Sequence, residues 1–521
     1  MITFNGVLSP KPLTQSLPAS HRISGVTLIV RLLISFVIFG CLSIGPAWAQ
    51  QPNVLLVIAD DLGVDSLNLF VGNDGPPTPT LDSMANAGVQ FTNCWGSPSC
   101  SPARAQMLTG RYGFRTGVGA PGAVPSVDEG TIAQAFKAGG YATACLGKWH
   151  LSNATNGGND NPNLMGFDHY SGSIGGGVGD YSSWNKVENG TQINGRNNPV
   201  TNYVTSETAS DASNWIAQQG NTPWFCWVAF NAPHSPFHLP PANLHSSTLP
   251  GTAADIAANP RDYYLAMVEA MDTEIGRMLN EIDPAVLANT VVVFIGDNGT
   301  PGQVPPAPRV LTGSKGSLFE GGVNIPCIVS GAGVVAPDRT HDGLISVVDL
   351  FATLLDMAGL DANVIPDGAA TDSLSFAACL TDPNASIART CQFTETFANP
   401  GAMPGRSDGK TVRLGDWKLI RSDNGNEGLY NLPNENQNLA NGFLTATEQE
   451  NFDLLNRKLD AILTDALLGD VNLSGVVDFS DIPPFIARLS SGVYQTEADC
   501  DRSGAVDFSD IAAFVEILQN Q

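Results

Sequence analysis

Short apolar runs alternate with segments of helical spacing along most of the chain. Four runs, each bounded by turn residues, predict buried strands: 54–58, 141–146, 224–230 and 290–295. Apolar positions recur at helical intervals in five other segments: 80–88, 131–138, 206–219, 263–282 and 346–357. Strands that alternate with helices in this order indicate an α/β fold with a largely parallel sheet.

The pattern changes in two other regions. Residues 153–198 are rich in Gly, Asn and Ser, so we expect mostly surface loops there. After about residue 375 the alternation weakens, although 410–421 resembles a half-exposed strand pair and 448–467 a helix. We therefore expect a core at 50–374, a smaller α+β subdomain at 375–467 and a separate module at 468–521.

The N-terminus has the pattern of a secretory signal. Lys11, Arg22 and Arg31 precede or open an apolar run at 32–44, which ends in Ala47-Trp48-Ala49. A run this short is typical of a cleaved signal rather than of a spanning helix. We predict a signal peptide at 1–49, cleavage near Ala49, and export to the periplasm or the extracellular space with no membrane span in the mature chain. A lipid anchor at Cys41 is a minor alternative.

The 521 residues include 50 Asp and Glu but only 25 Lys and Arg, which gives a net charge of −25. The predicted signal contains three of the basic residues and no acidic one, so the mature chain is still more acidic. This acidity argues against nucleic acid or an anionic membrane surface as a partner. An anionic substrate would need a local cluster of positive charge.

The nine cysteines have no dense spacing, so the chain is not a disulfide scaffold. Cys379 and Cys391 are the first pair that we would expect to form a disulfide.

Polar side chains follow the carboxyl ends of all four predicted strands: Asp60 and Asp61, Lys148 and His150, His234, and Asp297 with Asn298. Ligands of open α/β sheets bind beyond these strand ends, so the residues should meet at one site. Asp60, Asp61, Asp297 and Asn298 offer oxygen ligands alone, which suit Ca²⁺ or Mg²⁺ better than Zn²⁺.

Cys100 lies in a second segment that can carry chemistry. Cys100, Pro102 and Arg104 form a C-x-P-x-R pattern, and Thr109-Gly110-Arg111 follows. Pro102 stiffens the backbone, and the helix formers after it predict that Cys100 lies at a helix N-terminus. That end of a helix attracts anions, and Arg104 adds a positive charge. Alternatively, Cys100 is a small buried residue or half of a disulfide.

This segment resembles the signature of the type I sulfatases, in which a separate maturation enzyme oxidises the cysteine to the aldehyde formylglycine. Further family motifs follow in order: A-D-D at 59–61, G-K-W-H-L at 147–151, P-H at 233–234, G-D-N-G at 296–299 and K-x4-E-G-G at 315–322. The resemblance covers about residues 53–440. It implies an alkaline-phosphatase-like sandwich with a large mixed, mostly parallel sheet flanked by helices.

The resemblance also implies a role for each matching residue. The expected catalytic residues are Cys100, Arg104, Lys148, His150, His234, Asp297 and Lys315. One calcium ion is expected on Asp60, Asp61, Asp297, Asn298 and the modified Cys100. Asp297 would help to deprotonate the attacking hydroxyl of the hydrated aldehyde, and His150 would take the proton of the second hydroxyl. His234, with Lys315, would assist the leaving oxygen.

The tail contains a duplicated twelve-residue pattern. Oxygen side chains recur at loop positions 1, 3, 5, 9 and 12: Asp470, Asn472, Ser474, Asp478 and Asp481, then Asp499, Asp501, Ser503, Asp507 and Asp510. With Gly at position 6, each copy resembles an EF-hand calcium loop. The duplication resembles a type I dockerin, a small helical module that would bind up to two calcium ions and a cohesin-like protein. A calcium-stabilised appendage without a partner is the alternative.

Together these patterns predict an exported, calcium-dependent sulfatase that acts on a sulfated small molecule or polysaccharide. A phosphonate or phosphate ester hydrolase of the same superfamily is the rival enzyme. A non-catalytic, calcium-binding scaffold component is the rival from another class, and it predicts neither an aldehyde at Cys100 nor turnover.

Overall fold

The strands and helices below belong to a computed structural model that describes residues 51–72, 74–193, 199–398, 408–432, 434–463, 482–491, 500 and 506–519. The predicted signal peptide lies outside these residues, as do eight of the ten predicted calcium-loop ligands: Asp470, Asn472, Ser474, Asp478, Asp481, Asp499, Asp501 and Ser503.

The strands of the described residues fall into three sheets. In chain order they are β1 (Asn53–Ala59), β2 (Gly88–Phe91), β3 (Cys94–Trp95), β4 (Ala142–Gly147), β5 (His169–Gly172), β6 (Val187–Glu188), β7 (Thr191–Gln192), β8 (Trp224–Ala229), β9 (Thr290–Gly296), β10 (Cys327–Gly331), β11 (Arg339–His341), β12 (Ile345–Ser346), β13 (Cys391–Thr396), β14 (Gly409–Leu414), β15 (Trp417–Ser422) and β16 (Glu427–Asn431).

The helices connect these strands. They are α1 (Pro79–Asn86), α2 (Cys100–Thr109), α3 (Gly113–Thr116), α4 (Ile132–Ala138), α5 (Asn161–Leu164), α6 (Val204–Ala217), α7 (Ala253–Ala258), α8 (Pro260–Glu281), α9 (Pro284–Ala288), α10 (Glu320–Val323), α11 (Leu350–Met357), α12 (Ala377–Thr381), α13 (Ala446–Leu463), α14 (Ile482–Ser491) and α15 (Asp510–Gln519). Short 3-10 turns lie at Val64–Ser66, Gly158–Asp160, Val347–Asp349, Ala362–Val364 and Leu439–Asn441. None of the helices in the described residues is both long and apolar enough to cross a bilayer.

The largest sheet has ten strands in the order β11-β2-β10-β9-β1-β8-β4-β5-β6-β7. Its centre, from β9 to β5, is parallel, whereas β10 pairs antiparallel with both β9 and β2, and β6 pairs antiparallel with β5. The predicted strands correspond to β1, β4, β8 and β9, which lie side by side. Their carboxyl ends therefore point to the same edge of the sheet.

Both faces of this sheet are covered, as the burial of β1 on both of its sides shows. Val54, Leu56 and Ile58 pack in the core that includes α2, α4, α11 and α12. Leu55 and Val57 pack in the opposite core, with α1, α6 and α8. The expected sandwich of helices around a mixed, mostly parallel sheet is confirmed.

A second, antiparallel sheet with the order β13-β14-β15-β16 lies towards the C-terminus. The predicted strand pair at 410–421 corresponds to β14 and β15, and α13 packs on this sheet through Leu455 and Leu459. The expected smaller C-terminal α+β subdomain is thus present. β3 and β12 form a separate parallel pair.

One expectation is incomplete and another is wrong. Most of the described residues within 153–198 are loops, as expected, but α5 and the strands β5, β6 and β7 lie among them, each too short to give an apolar run. The expected disulfide is wrong. Cys379 and Cys391 are free thiols. Cys379 packs in the core of the large sheet, whereas Cys391 packs against the small sheet, so each thiol is buried among different neighbours.

Candidate active site

The carboxyl ends of the adjacent strands β1 and β9 bring three acidic residues and one amide together. Asp60 and Asp61 follow β1, and Asp297 and Asn298 follow β9. The Asp61 amide donates to Asp297 Oδ1 at 3.0 Å, and Asn298 Nδ2 donates to Asp61 Oδ1 at 2.9 Å. All four side chains are buried.

Lys148 and His150 come from the end of β4, and His234 comes from the loop after β8. Lys148 is fully buried, and its Nζ lies 2.5 Å from Asp60 Oδ2. His234 is more open to solvent, with its Nε2 3.7 Å from Asp61 Oδ2. The strand ends therefore supply both a buried cation and two imidazoles.

Cys100 is the first residue of α2, as the sequence predicts. Its Sγ lies 3.3 Å from His150 Nδ1. One turn later, Arg104 places Nε and Nη2 at 3.1 and 2.9 Å from Asp297 Oδ2, and its Nη1 donates to the Lys148 carbonyl. Helix α2 thus carries both the thiol and the cation that fixes Asp297.

Lys315 reaches the same place from the connection between β9 and β10. Its Nζ lies 2.6 Å from Asp61 Oδ1. The backbone around it is fixed, because the Lys315 amide donates to the Thr300 carbonyl and the Gly316 amide to the Pro98 carbonyl. The second of these bonds ties the lysine loop to the segment that leads into Cys100.

Burial sets the protonation of several of these groups. It raises the pKa of the Cys100 thiol, so the unmodified side chain is a protonated thiol at neutral pH. Burial, with the nearby charges of Lys148 and Arg104, lowers the pKa of His150 to about 2, which leaves the imidazole neutral.

The carboxylates and cations of the site shift each other. Burial raises the pKa of Asp297, the neighbouring Asp60 raises it further, and Arg104 opposes both. Burial disfavours the charged forms of Arg104 and Lys315, but the carboxylates around them hold the pKa of each above its ordinary value. Both side chains therefore remain positive at any working pH.

The donor set fits a divalent metal ion. One ligand atom each of Asp60, Cys100 and Asp297 lies within 4.8 Å of the others. Asp60 Oδ1 and Asn298 Oδ1 are buried without a hydrogen-bond partner, a condition that costs free energy unless a cation satisfies them. Their chemistry, hard oxygen from carboxylate and amide, suits Ca²⁺ or Mg²⁺.

Residues 52–360 match the model of the family described as Sulfatase. The chain belongs to the sulfatase family. The match covers more than half of the chain and includes every catalytic-site residue that the sequence predicts.

Relatives of this sulfatase-family chain support the same assignment. The chain is 28% identical over 378 residues to arylsulfatase G of Mus musculus, and the aligned region covers 60% of this chain and 66% of the mouse protein. It is 31% identical over 360 residues to N-acetylgalactosamine-6-sulfatase of Sus scrofa, with 62% and 65% covered. The matched part is thus about two thirds of the length of these relatives. The solved structure of Ps i-CgsB in complex with k-i-k-neocarrahexaose shares the fold, with a TM-score of 0.65, 22% identity, and 84% of this chain and 97% of that chain covered.

The sequence predicts all ten residues that the sulfatase site brings together, but it does not predict the backbone that encloses them. Gly176 and Gly177 lie close to the rings of His150 and His234, respectively. A Cβ on Gly176 would lie 2.4 Å from His150 Nε2, and one on Gly177 would lie 3.3 Å from His234 Cε1. The run Gly175-Gly176-Gly177 is a signal for such a close approach of backbone to a side chain.

A buried ion cluster behind the site is also missing from the sequence prediction. Lys418 on β15 is fully buried between Glu320 and Glu435, at 2.9 and 2.8 Å. Its Nζ also lies 4.7 Å from the centre of the Trp95 ring. Glu320 belongs to the K-x4-E-G-G motif, so the sequence marks Glu320 itself. Nothing in the sequence marks Lys418 as the partner of Glu320.

The ten predicted calcium-loop ligands belong to the tail and not to this site. Of the ten, the described residues contain Asp507 and Asp510, near the start of α15. Asp510 Oδ2 accepts the Asp507 amide, and Asp507 Oδ1 accepts the Ser509 amide. Helices α14 and α15 follow the two predicted loops, and Phe485 stacks on Phe514 between them. The dockerin-like module therefore stays a prediction.

Proposed function

We propose that this chain is an exported sulfatase that hydrolyses sulfate monoesters of carbohydrates through a formylglycine made from Cys100, with a calcium ion in the site. The observation that carries the proposal is the 3.3 Å approach of Cys100 Sγ to His150 Nδ1, at a helix N-terminus surrounded by buried carboxylates and cations. The sulfatase family to which the chain belongs supports the same chemistry.

The charge balance supports an anionic substrate once a metal is bound. The three carboxylates of Asp60, Asp61 and Asp297 are balanced by the three cations Lys148, Lys315 and Arg104. Arg104 pairs with Asp297 at 2.9 Å and also lies 3.8 Å from Asp60. A divalent ion added to this balanced set leaves an excess of positive charge in a molecule that is otherwise acidic. Such an excess would attract a sulfate ester and stabilise the charge that builds on its sulfuryl oxygens.

We assign the metal to Asp60, Asp61, Asp297, Asn298 and the modified side chain of residue 100. When bound, the ion supplies Lewis-acid polarisation of a sulfuryl oxygen. The free Oδ1 atoms of Asp60 and Asn298 support this assignment. Arg104 holds the orientation of Asp297 by two hydrogen bonds, and Lys148 holds that of Asp60.

A plain thiol is a poor group for this reaction, because a sulfated thiol has no easy exit. When formed, the hydrated aldehyde supplies two hydroxyl groups on one carbon, so that one attacks sulfur and the other later expels sulfate. The Nδ1 atom of His150 lies next to the position of Cys100 Sγ, and on this geometry we assign His150 to accept the proton of the second hydroxyl. Asp297 accepts the proton of the attacking hydroxyl.

His234 and Lys315 are the groups that we assign to the leaving oxygen. Both are partly exposed, at 21% of their side chains, whereas Lys148 and Arg104 are fully buried. They therefore lie on the side from which a substrate alcohol enters and leaves. General acid catalysis of this kind contributes ~10²–10⁴-fold to a rate.

The substrate class rests on the relatives. One of them is named for an N-acetylgalactosamine 6-sulfate group, and the structure with the same fold holds a neocarrahexaose. We therefore propose a sulfated carbohydrate as the natural substrate of this chain.

The test is hydrolysis of paired aryl sulfate and aryl phosphate by full-length protein co-expressed with a formylglycine-generating maturation enzyme. We expect an aldehyde at Cys100 by mass spectrometry, preference for the sulfate, and no turnover by Cys100→Ala. Faster hydrolysis of the phosphate would favour the rival esterase. Neither aldehyde nor turnover would favour the non-catalytic scaffold.

Export and the tail are further parts of the proposal that rest on sequence patterns. The signal-like segment at 1–49 supports export, with cleavage near Ala49, and N-terminal sequencing of exported protein tests it. The duplicated loops at 470–481 and 499–510 support a calcium-binding, dockerin-like module. Pull-down of a purified cohesin by the full chain, with and without calcium, tests whether that module has such a partner.

A further inference from the structure

The glycine segment beside the histidines is also the wall of a cleft. Gly177 lies beside the His234 ring, which we assign to the leaving oxygen, since a Cβ on this glycine would lie 3.3 Å from His234 Cε1. The same residue lines a cavity of about 500 Å³. The cavity continues along Val178 and Asp180 to Trp184, Asn185 and Asn159. The cleft therefore begins where the alcohol side of a substrate would leave the reaction centre.

The cleft wall has unused hydrogen-bonding groups. Within the described residues, the backbone amides of Gly177 and Gly179 have no protein acceptor, and both residues are exposed to solvent. Asp180 Oδ1 accepts the Ser182 amide at 2.7 Å, which leaves Oδ2 for another donor. Amide donors beside carboxylate and amide acceptors suit a ligand with many hydroxyl groups.

The charge of the cleft restricts that ligand. Asp180 is the charged side chain that lines it. The nearest lysine along the chain, Lys186, is 9% exposed and lies 2.6 and 2.7 Å from Glu207 and Asp211, so its charge is already compensated. A carboxylate or a second sulfate in the cleft would face Asp180, and none of the described side chains that line the cleft offers a neutralising positive charge.

We propose that this cleft binds the sulfated sugar unit by its hydroxyl groups and selects units that carry no carboxylate. This inference rests on the proposed function and deepens it. It assigns Asp180 as a residue that determines specificity, acting by like-charge repulsion on a uronate.

The experiment compares galactoside and galacturonoside sulfates that are sulfated at the same hydroxyl, with 4-nitrophenyl sulfate as the substrate that needs no sugar site. The enzyme is the matured full chain, calcium-loaded. We expect at least about a tenfold higher kcat/KM for the galactoside, which equals about 1.4 kcal/mol. Asp180→Asn should raise the galacturonoside rate and reduce this ratio, and Asp180→Lys should reduce it further or reverse it.

The matched control is Asp356→Asn, which makes the same charge change at an exposed position of α11 that does not line the cleft. It should leave the ratio of the two sugars unchanged. Equal rates on the two sugars, or a ratio that neither Asp180 variant alters, would overturn the assignment of the cleft while aryl sulfate hydrolysis persists. Absence of aryl sulfate hydrolysis would overturn the proposed function and the cleft assignment with it.

Discussion

At the scale of single residues, the site depends on backbone that is held in unusual conformations. Asp61 and His150 have φ values of 68° and 62°, in the left-handed region that side-chain-bearing residues rarely adopt. Each such residue costs of the order of 1–3 kcal/mol unless its surroundings fix it. Here the fixing contacts include the Asp61 amide on Asp297 and the His150 amide on the Ile174 carbonyl.

Gly176→Ala should lower kcat for aryl sulfate by ~10²-fold, because the new Cβ would displace the His150 ring from its place beside residue 100. Gly175→Ala is the matched comparison, since a Cβ there meets no atom within 4 Å, and it should have a much smaller effect. Steady-state kinetics with equal aldehyde content check this. Equal losses in the two variants would show that His150 is not held by this contact.

Glu395 should make stability depend on pH. Burial raises its pKa to about 7 from an ordinary 4.5, and its Oε2 is buried without a hydrogen-bond partner. Because the folded state favours the protonated form, this stabilisation is complete below pH 4.5 and is lost as the pH rises through 7. The loss amounts to about 3 kcal/mol.

Glu395→Gln keeps an acceptor for the Phe114 amide but cannot ionise. Thermal midpoints measured between pH 5 and pH 8 should therefore fall more steeply for the wild type than for this variant. Parallel curves would show that Glu395 does not titrate in this range.

At the scale of elements, the strands that carry the site could be predicted and the rest of the sheet could not. β1, β4, β8 and β9 are continuous apolar runs because both faces of the sheet are covered, and each ends in a polar residue of the site. β6 and β7 have two residues each, which is too short for any periodicity. The sequence does not predict β10 because Pro326 precedes this strand and Ser330 and Gly331 end it, which leaves only the short apolar run Cys327-Ile328-Val329.

The side-chain contacts between distant elements could not be predicted from the sequence either, for a different reason. The C-x-P-x-R and K-x4-E-G-G motifs indicated Arg104 and Lys315, but only the fold shows that each pairs with a particular aspartate. Lys418 and Glu320 are 98 positions apart, and neither periodicity nor spacing links them.

Lys418→Met should destabilise the protein by about 3–5 kcal/mol, because it leaves Glu320 and Glu435 buried without their shared cation. Arg421→Met on the same strand is the matched control. Arg421 also pairs with two acidic residues, Glu427 and Asp460, but it is 27% exposed, so its loss should cost no more than about 1 kcal/mol. Thermal unfolding of both variants checks the difference, and equal shifts would contradict a special role of burial.

At the scale of the whole molecule, an acidic chain has to bind an anionic ester. The net charge of −25 works against this. Arg104, Lys148 and Lys315 balance the carboxylates of the site, and the proposed divalent ion would supply the positive excess. Calcium is thus expected in two separate regions: one ion among the catalytic carboxylates, and up to two ions in the predicted tail loops.

Calorimetric titration of the chelator-treated full chain should show that Asn298→Ala weakens one calcium site at least tenfold, about 1.4 kcal/mol, and lowers activity with it. The oxygen removed is the buried, unpartnered Oδ1. Asp478→Asn in the tail should weaken a different calcium site and leave aryl sulfate hydrolysis as it is. A single class of site affected by both variants would contradict two separate calcium positions.

The most direct test of the whole account is sulfate release measured against the fraction of Cys100 that has become the aldehyde. Preparations with different maturation levels give this fraction by peptide mass spectrometry and the rate by aryl sulfate hydrolysis. We predict that kcat rises in proportion to the aldehyde fraction and extrapolates to zero in its absence. Full activity in protein that retains the Cys100 thiol would contradict the account.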